Sequence, residues 1–355
     1  LVLADVDVST PEAYGGTGAL AGELAGEVVN VRVSGGTVEG RSAVGGLVGM
    51  TGGGAVISAS CSSATVIGID FNAGGLVGYL GDATVDTSCS TGDVNGNTYV
   101  GGLAGAVSGA TITDSYASGS VSGYYTTGGL IGIVASDDES GLPPSTIERV
   151  HAVGKVEGSN AGGLIATNTA QLSLGCAYYD KDLTGQSDQD ASSGTPLSHE
   201  DMVREDRFED WDFDTIWHLD TRTGWPTFLR DDDEAPELEG ATVASDAQDE
   251  VAVAFVERIL AEEEALDRFT VMVDGQEAAI AGKQFDGRTL ILTLDEPVLY
   301  GQEVKVVYAD GDPAITDQAL HRMDTQTITA DNEVEPLVEI DTLSPADDAT
   351  GIGLR

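Results

Sequence analysis

One short segment, Gly-Gly-Leu-Val-Gly or a close variant, returns six times in the first half of this 355-residue chain. The copies are Gly18-Ala-Leu-Ala-Gly22, Gly45-Gly-Leu-Val-Gly49, Gly74-Gly-Leu-Val-Gly78, Gly101-Gly-Leu-Ala-Gly105, Gly128-Gly-Leu-Ile-Gly132 and Gly162-Gly-Leu-Ile-Ala166. Their central leucines, 20, 47, 76, 103, 130 and 164, are 27, 29, 27, 27 and 34 residues apart. A second frame fills each interval: an aliphatic residue, a further position four residues on, a Val nine residues on and a Gly two beyond it. Val29, Val33, Val38 and Gly40 set this frame. It recurs at Ile57, Cys61, Val66 and Gly68, and at Val85, Cys89, Val94 and Gly96. Ile112, Tyr116, Val121 and Gly123, then Ile147, His151, Val156 and Gly158, complete it. Short β-branched runs broken by Gly read as strands and corners. A unit this small buries its apolar face only by stacking on the next. The expected fold is therefore a Gly-rich β-solenoid, rising about 30 Å over six rungs. A propeller is disfavoured because its blades need about 40–45 residues.

These repeats resemble the GLUG-motif repeats of large bacterial and archaeal surface proteins, over roughly residues 1–229. The resemblance implies a structural or adhesive role with no active site in the repeats. Residues 1–175 are read as the solenoid and 176–230 as its C-terminal cap. Trp211, Trp217 and Trp225, the chain's three tryptophans, are expected to close the open end. An acidic stretch at 231–235 reads as a linker. Beyond it come longer alternating runs at 251–255, 269–273, 289–293 and 304–308, with Asp274-Gly275 and Asp286-Gly287 as turns. Residues 236–331 resemble the SwmB-type immunoglobulin-like repeats of surface proteins, which implies a β-sandwich. Residues 332–355 look like the start of a further domain or a strand given to a neighbour. The chain opens on Leu1, without a signal peptide, and is expected to be a piece of a longer protein. The fold class expected overall is all-β, a solenoid followed by a sandwich.

Charge narrows the function. Sixty Asp and Glu against 16 Lys and Arg give a formal net charge of -44. Such a field repels nucleic acid and anionic membranes. Hydrophobic residues at 41% exclude disorder as the reason for the acidity. Of the cations only Lys155, Lys181, Lys283 and Lys305 are lysine. High acid, low Lys and small apolar residues resemble proteins of extreme halophiles, archaea above all. No apolar run is long enough to span a membrane.

Candidate chemistry is sparse. Three Cys make no disulfide framework. Cys61 and Cys89 fall in one column on adjacent rungs, close enough to bond. A stacked pair of buried thiols fits equally and is the expectation taken here. His151 shares that column, which the frame extends to Val33, Tyr116 and Cys176. A structural role is expected for it. Asp82, Asp86, Asp93 and Asp114 do not share a column, so no carboxylate pair for glycoside chemistry is expected. Calcium is the ion that Asp231, Asp232 and Asp233, or Asp310, Asp312 and Asp317, would suit. The insertion carrying Asp137, Asp138 and Glu139 lengthens the 34-residue interval and is the expected contact loop. The reading is a non-enzymatic, extracellular cell-surface module. Its expected partners are other surface proteins, neighbouring subunits or surface glycans. The alternatives are a strand-exchanging filament subunit and a carbohydrate-binding or carbohydrate-active solenoid.

Overall fold

The computed structural model describes residues 1–135, 142–187, 194–232, 235–317 and 321–336. The chain divides into two compact units, Leu1–Asp232 and Asp233–Arg355.

The first unit is a β-solenoid of about six turns, all of whose strand pairs up to Leu197 are parallel. Each 27–35-residue repeat makes one turn, so equivalent residues stack in columns. Val38, Val66, Val94, Val121 and Val156 form one column, and Val28, Ile57, Val85, Ile112 and Ile147 another. A separate six-stranded parallel sheet stacks Ala21–Leu24, Val48–Thr51, Val77–Gly81, Ala104–Ser108, Ile131–Val134 and Ile165–Asn168. Leu47, Leu76, Leu103, Leu130 and Leu164 are essentially inaccessible and belong to the same core.

The second Gly of the four middle motifs sets the thickness of this core. Gly46, Gly75, Gly102 and Gly129 lie against the column of Ser62, Ser90, Ala117 and Ala152, all with small side chains. A Cβ added at any of the four would lie 2.1–2.2 Å from the carbonyl oxygen of the equivalent Gly one rung on. The motif therefore records a place where backbone meets backbone, with no room for a side chain.

The strand register corrects the column drawn through the cysteines. Cys61 pairs with Arg32 and not with Val33, and His151 pairs with Tyr178 and not with Cys176. One local feature causes the first slip, and a recurring corner accounts for the place of Cys176. Gly35 and Gly36 both have positive φ, 74° and 90°, and accommodate one extra residue in that rung. A left-handed corner also recurs at Asn30, Ala59, Thr87, Asp114 and Arg149, and Cys176 occupies its next copy. The true column, Arg32, Cys61, Cys89, Tyr116, His151 and Tyr178, faces outward from the solenoid core.

The expectation of stacked thiols at Cys61 and Cys89 is also corrected. The two form a disulfide, with Cα atoms 4.5 Å apart. Parallel pairing puts equivalent residues of neighbouring rungs about one strand spacing apart, so the bond needs no rearrangement of the sheet. Closing a 28-residue loop contributes about 3–4 kcal/mol by chain entropy. Cys176 is a free, half-buried thiol.

The second unit is a β-sandwich-like region with its own core. Glu250–Phe255, Phe269–Val273, Thr289–Leu294 and Val304–Tyr308 alternate buried and partly exposed residues, the period of strands with one face inward. Asp274–Gly275 links Phe269–Val273 to Gln276–Ala278, and both turn residues have positive φ. Asp286–Gly287 links Ile280–Phe285 to Thr289–Leu294. Tyr308 is fully buried, and its hydroxyl accepts a hydrogen bond from the Ile315 amide.

Candidate functional site

The outward column would expose two tyrosines, a histidine and a disulfide. It is covered instead by the segment that follows the last rung. Thr195–Leu197 first adds a partial strand beside Tyr178–Asp180. Met202, Phe208, Trp211, Phe213, Trp217, Leu219 and Phe228 then pack with Cys61, Cys89, Tyr116 and Tyr178 in one buried cluster. The tryptophans expected to cap the open end thus lie along the flank. Trp211 and Trp217 are 4.2 Å apart by ring centroids, and Trp225 is partly buried against the same cluster.

Polar atoms in this seam join the strap to the rungs. Trp211 Nε1 donates to the Cys176 carbonyl at 3.1 Å. Trp217 Nε1 donates to Asp114 Oδ1 at 3.3 Å. Asp114, almost fully buried, is gripped by Arg149 Nε and Nη2 at 2.7–3.1 Å. Both residues occupy left-handed corners on adjacent rungs, so this charge pair also bridges rungs. The Arg32 guanidinium pairs with Asp231, and Arg230 lies over the Phe228 ring, 3.7 Å from Cys61 Sγ.

His151 lies at the centre of the seam. Its ring stacks on Tyr116 at 5.0 Å and is fully buried. Nε2 bonds the Pro226 carbonyl at 2.7 Å, which makes Nε2 the protonated nitrogen. Burial pushes the imidazole pKa down to about 3, outweighing the opposing carbonyl bond. This group is neutral at working pH and shielded from solvent, an arrangement unsuited to proton transfer. Its folded pKa lies below the unfolded value near 6.5, so the unfolded chain binds the extra proton. The stability it contributes is complete above about pH 6.5 and falls as pH drops toward about 3, at about 1.4 kcal/mol per pH unit. Urea melts between pH 7 and 4 in molar KCl should show this slope. His151→Phe should be less pH-dependent, and an unchanged slope would contradict the assignment.

Elsewhere, Asp180 is fully buried at the end of the last rung. Its Oδ1 caps the Lys181–Thr184 turn through the amides of Asp182 and Leu183, and its Oδ2 meets His199 Nδ1 at 2.7 Å. A carboxylate orienting an imidazole is also a catalytic arrangement, but here the carboxylate's other oxygen holds the chain turn together.

The remaining described candidates have hydrogen-bond or ion-pair partners of their own. Asp86 accepts from Thr87 and Thr113, and Asp93 accepts from the Ser120 amide. Asp231 is paired as described, and Asp232 is 3.8 Å from His218. Asp310 pairs with Arg322 at 3.0 Å, and buried Asp317 pairs with His321 at 2.7 Å. The Asp312 carbonyl accepts from Arg268. Among the described residues Asp310, Asp312 and Asp317 do not bring ligand atoms together. Asp233, and Asp137, Asp138 and Glu139 of the insertion, lie outside the described residues. The Asp114–Arg149–Trp217 link had no sequence signal. Its members are 35 and 103 residues from Asp114 and occupy unlike motifs.

Comparison with known proteins agrees with the order of the two units. The GLUG motif matches residues 96–122, and the SWM repeat, described as "Putative flagellar system-associated repeat", matches residues 231–313. A "Putative Gly-rich membrane protein" of Evansella cellulosilytica is 42% identical over 83 residues. That match covers 21% of this chain and 9% of the relative. No solved structure matches. The chain carries a GLUG motif followed by an SWM repeat.

Proposed function

We propose that this chain is a non-catalytic structural and adhesive module of a larger cell-surface protein, displayed outside a salt-adapted cell. The observation that carries the reading is the sealed seam. Its disulfide, its half-buried ion pair and its aromatic strap all join one rung to the next, so these reactive side chains serve the continuity of the stack. A disulfide that braces the fold belongs to an oxidising compartment, outside the reducing cytosol. The GLUG motif, the SWM repeat and the likeness to part of a Gly-rich membrane protein support a surface setting. Among the described residues no helix is long and apolar enough to cross a membrane.

Protease shaving of intact cells tests this. The expected result is release of peptides from this chain by protease added outside, while a cytosolic marker stays intact. Peptides released only after lysis would overturn the surface assignment.

A further inference from the structure

One stripe on the solenoid has no part in the seam or the core. It starts at Tyr14, 73% exposed, and continues through Phe71, 52%, to Tyr124 and Tyr125, 67% and 52%. Isolated exposed apolar residues are ordinary. These follow the rungs. Phe71 pairs in register with Thr98 of the next rung. The Tyr125 amide donates to the Asn97 carbonyl, one rung further, at 3.0 Å. The Asn160 amide donates to the Tyr125 carbonyl at 2.9 Å. Phe71 and Tyr125 are thus two rungs apart, about 10 Å at the usual strand spacing. Tyr124 and Tyr125 meet edge to face at 4.7 Å and 78°, so their rings present both a face and an edge.

Uncharged hydrogen-bonding groups accompany the rings from Phe71 onward: Asn97 and Thr98 on the rung between Phe71 and Tyr125, and Asn160 on the rung after Tyr125. The Asn160 side-chain amide donates to Thr167 Oγ1 at 2.9 Å, which leaves its carbonyl oxygen as an acceptor. The cation in the stripe, Arg41, is already engaged. It pairs with Asp70 at 2.9 Å and lies over the Tyr14 ring at 4.7 Å.

Flat apolar rings interleaved with neutral donors and acceptors, repeated along an axis, match a linear sugar polymer. Each pyranose offers a C–H face to stack and a hydroxyl rim to bond. The net charge of -44 repels polyanions, and Arg41 is not free to attract one. We propose that the stripe from Tyr14 to Asn160 is a binding site for an uncharged polysaccharide, lying along the stacked rungs. This goes beyond the structural reading and can fail without it, because a surface module that binds no sugar still releases peptides on shaving.

The test is co-sedimentation of the full chain with insoluble cellulose, chitin and β-mannan in molar KCl, with carboxymethylated cellulose as the charged counterpart. The expected result is binding to at least one neutral polymer. Combined Phe71→Ala, Tyr124→Ala and Tyr125→Ala should weaken it by about tenfold or more at unchanged melting midpoint. Tyr124→Trp, which keeps a stacking surface, should retain binding. The proposal is overturned by absence of binding to all three neutral polymers, by equal binding of the triple variant, or by preference for the carboxymethylated polymer. Light scattering that shows self-association through the stripe would overturn it too, by giving the stripe to a second copy of the chain.

Discussion

Gly75→Ala is expected to destabilise the solenoid by about 3 kcal/mol or more, well beyond an ordinary Gly to Ala change. The added Cβ would lie 2.0 Å from Ser90 Oγ and 2.2 Å from the Gly102 carbonyl oxygen. The serine can turn aside. The carbonyl cannot, because it accepts the Gly75 amide at 3.1 Å within the ladder that also joins Leu76 N to the Leu103 carbonyl at 2.9 Å. Room for the methyl comes only by parting two rungs, and parted rungs lose packing among Leu76, Leu103 and their neighbours. In a stack held by nearest-neighbour contacts, such damage divides the array and lowers its cooperativity. Gly26→Ala is the control, since nothing lies within 4 Å of a Cβ built there. It should change stability by no more than about 0.5 kcal/mol. Urea melts of the full chain in molar KCl measure both, and coincident midpoints would refute the close-approach argument.

Salt is expected to move the melting midpoint upward by on the order of 10 °C or more between 0.1 M and 2 M KCl. The formal excess of acid over base is 44 groups, so most carboxylates have no cation to meet. Their mutual repulsion opposes the compact state. At 0.1 M salt the repulsion reaches about 10 Å, and at 1 M about 3 Å, shorter than the separation of most surface charges. The Asp114–Arg149 pair, with its carboxylate buried and its guanidinium partly exposed, should respond less than the fully exposed carboxylates. Sodium chloride should act as potassium chloride does, while sucrose at matched viscosity should give a smaller rise. A midpoint that stays level or falls with salt would remove the ground for salt adaptation.

The solenoid was legible because its constraint repeats. A Leu or Val column is written once per rung, and each copy repeats the signal of the others. The second Gly of the four middle motifs was equally plain, since its reason, backbone against backbone, is the same at Gly46, Gly75, Gly102 and Gly129. Register was harder. Whether Val33 or Arg32 stands beside Cys61 depends on a single extra residue absorbed at Gly35–Gly36, which side-chain pattern does not reveal. The same slip decides which residues face out, and so hid the column that carries the seam. The strap was misplaced for a different reason. Its aromatic richness is visible in sequence, but its docking rests on contacts such as Trp217 with Asp114 and Arg230 with Cys61, separated by 103 and 169 residues. No local rule selects the flank over the end. In the second unit the buried alternating strands were readable, whereas Ile280–Phe285 and Gln326–Asn332 carry Gly, Lys, Gln and Asp residues that blur the strand period.

The register of the rungs, and the oxidising setting read from it, meet in one measurement. It is peptide mapping of the chain recovered from cells, denatured and alkylated without reductant. The account predicts a Cys61–Cys89 linked peptide pair and an alkylated Cys176. Alkylation of Cys61 and Cys89, or a bond from either to Cys176, would contradict it.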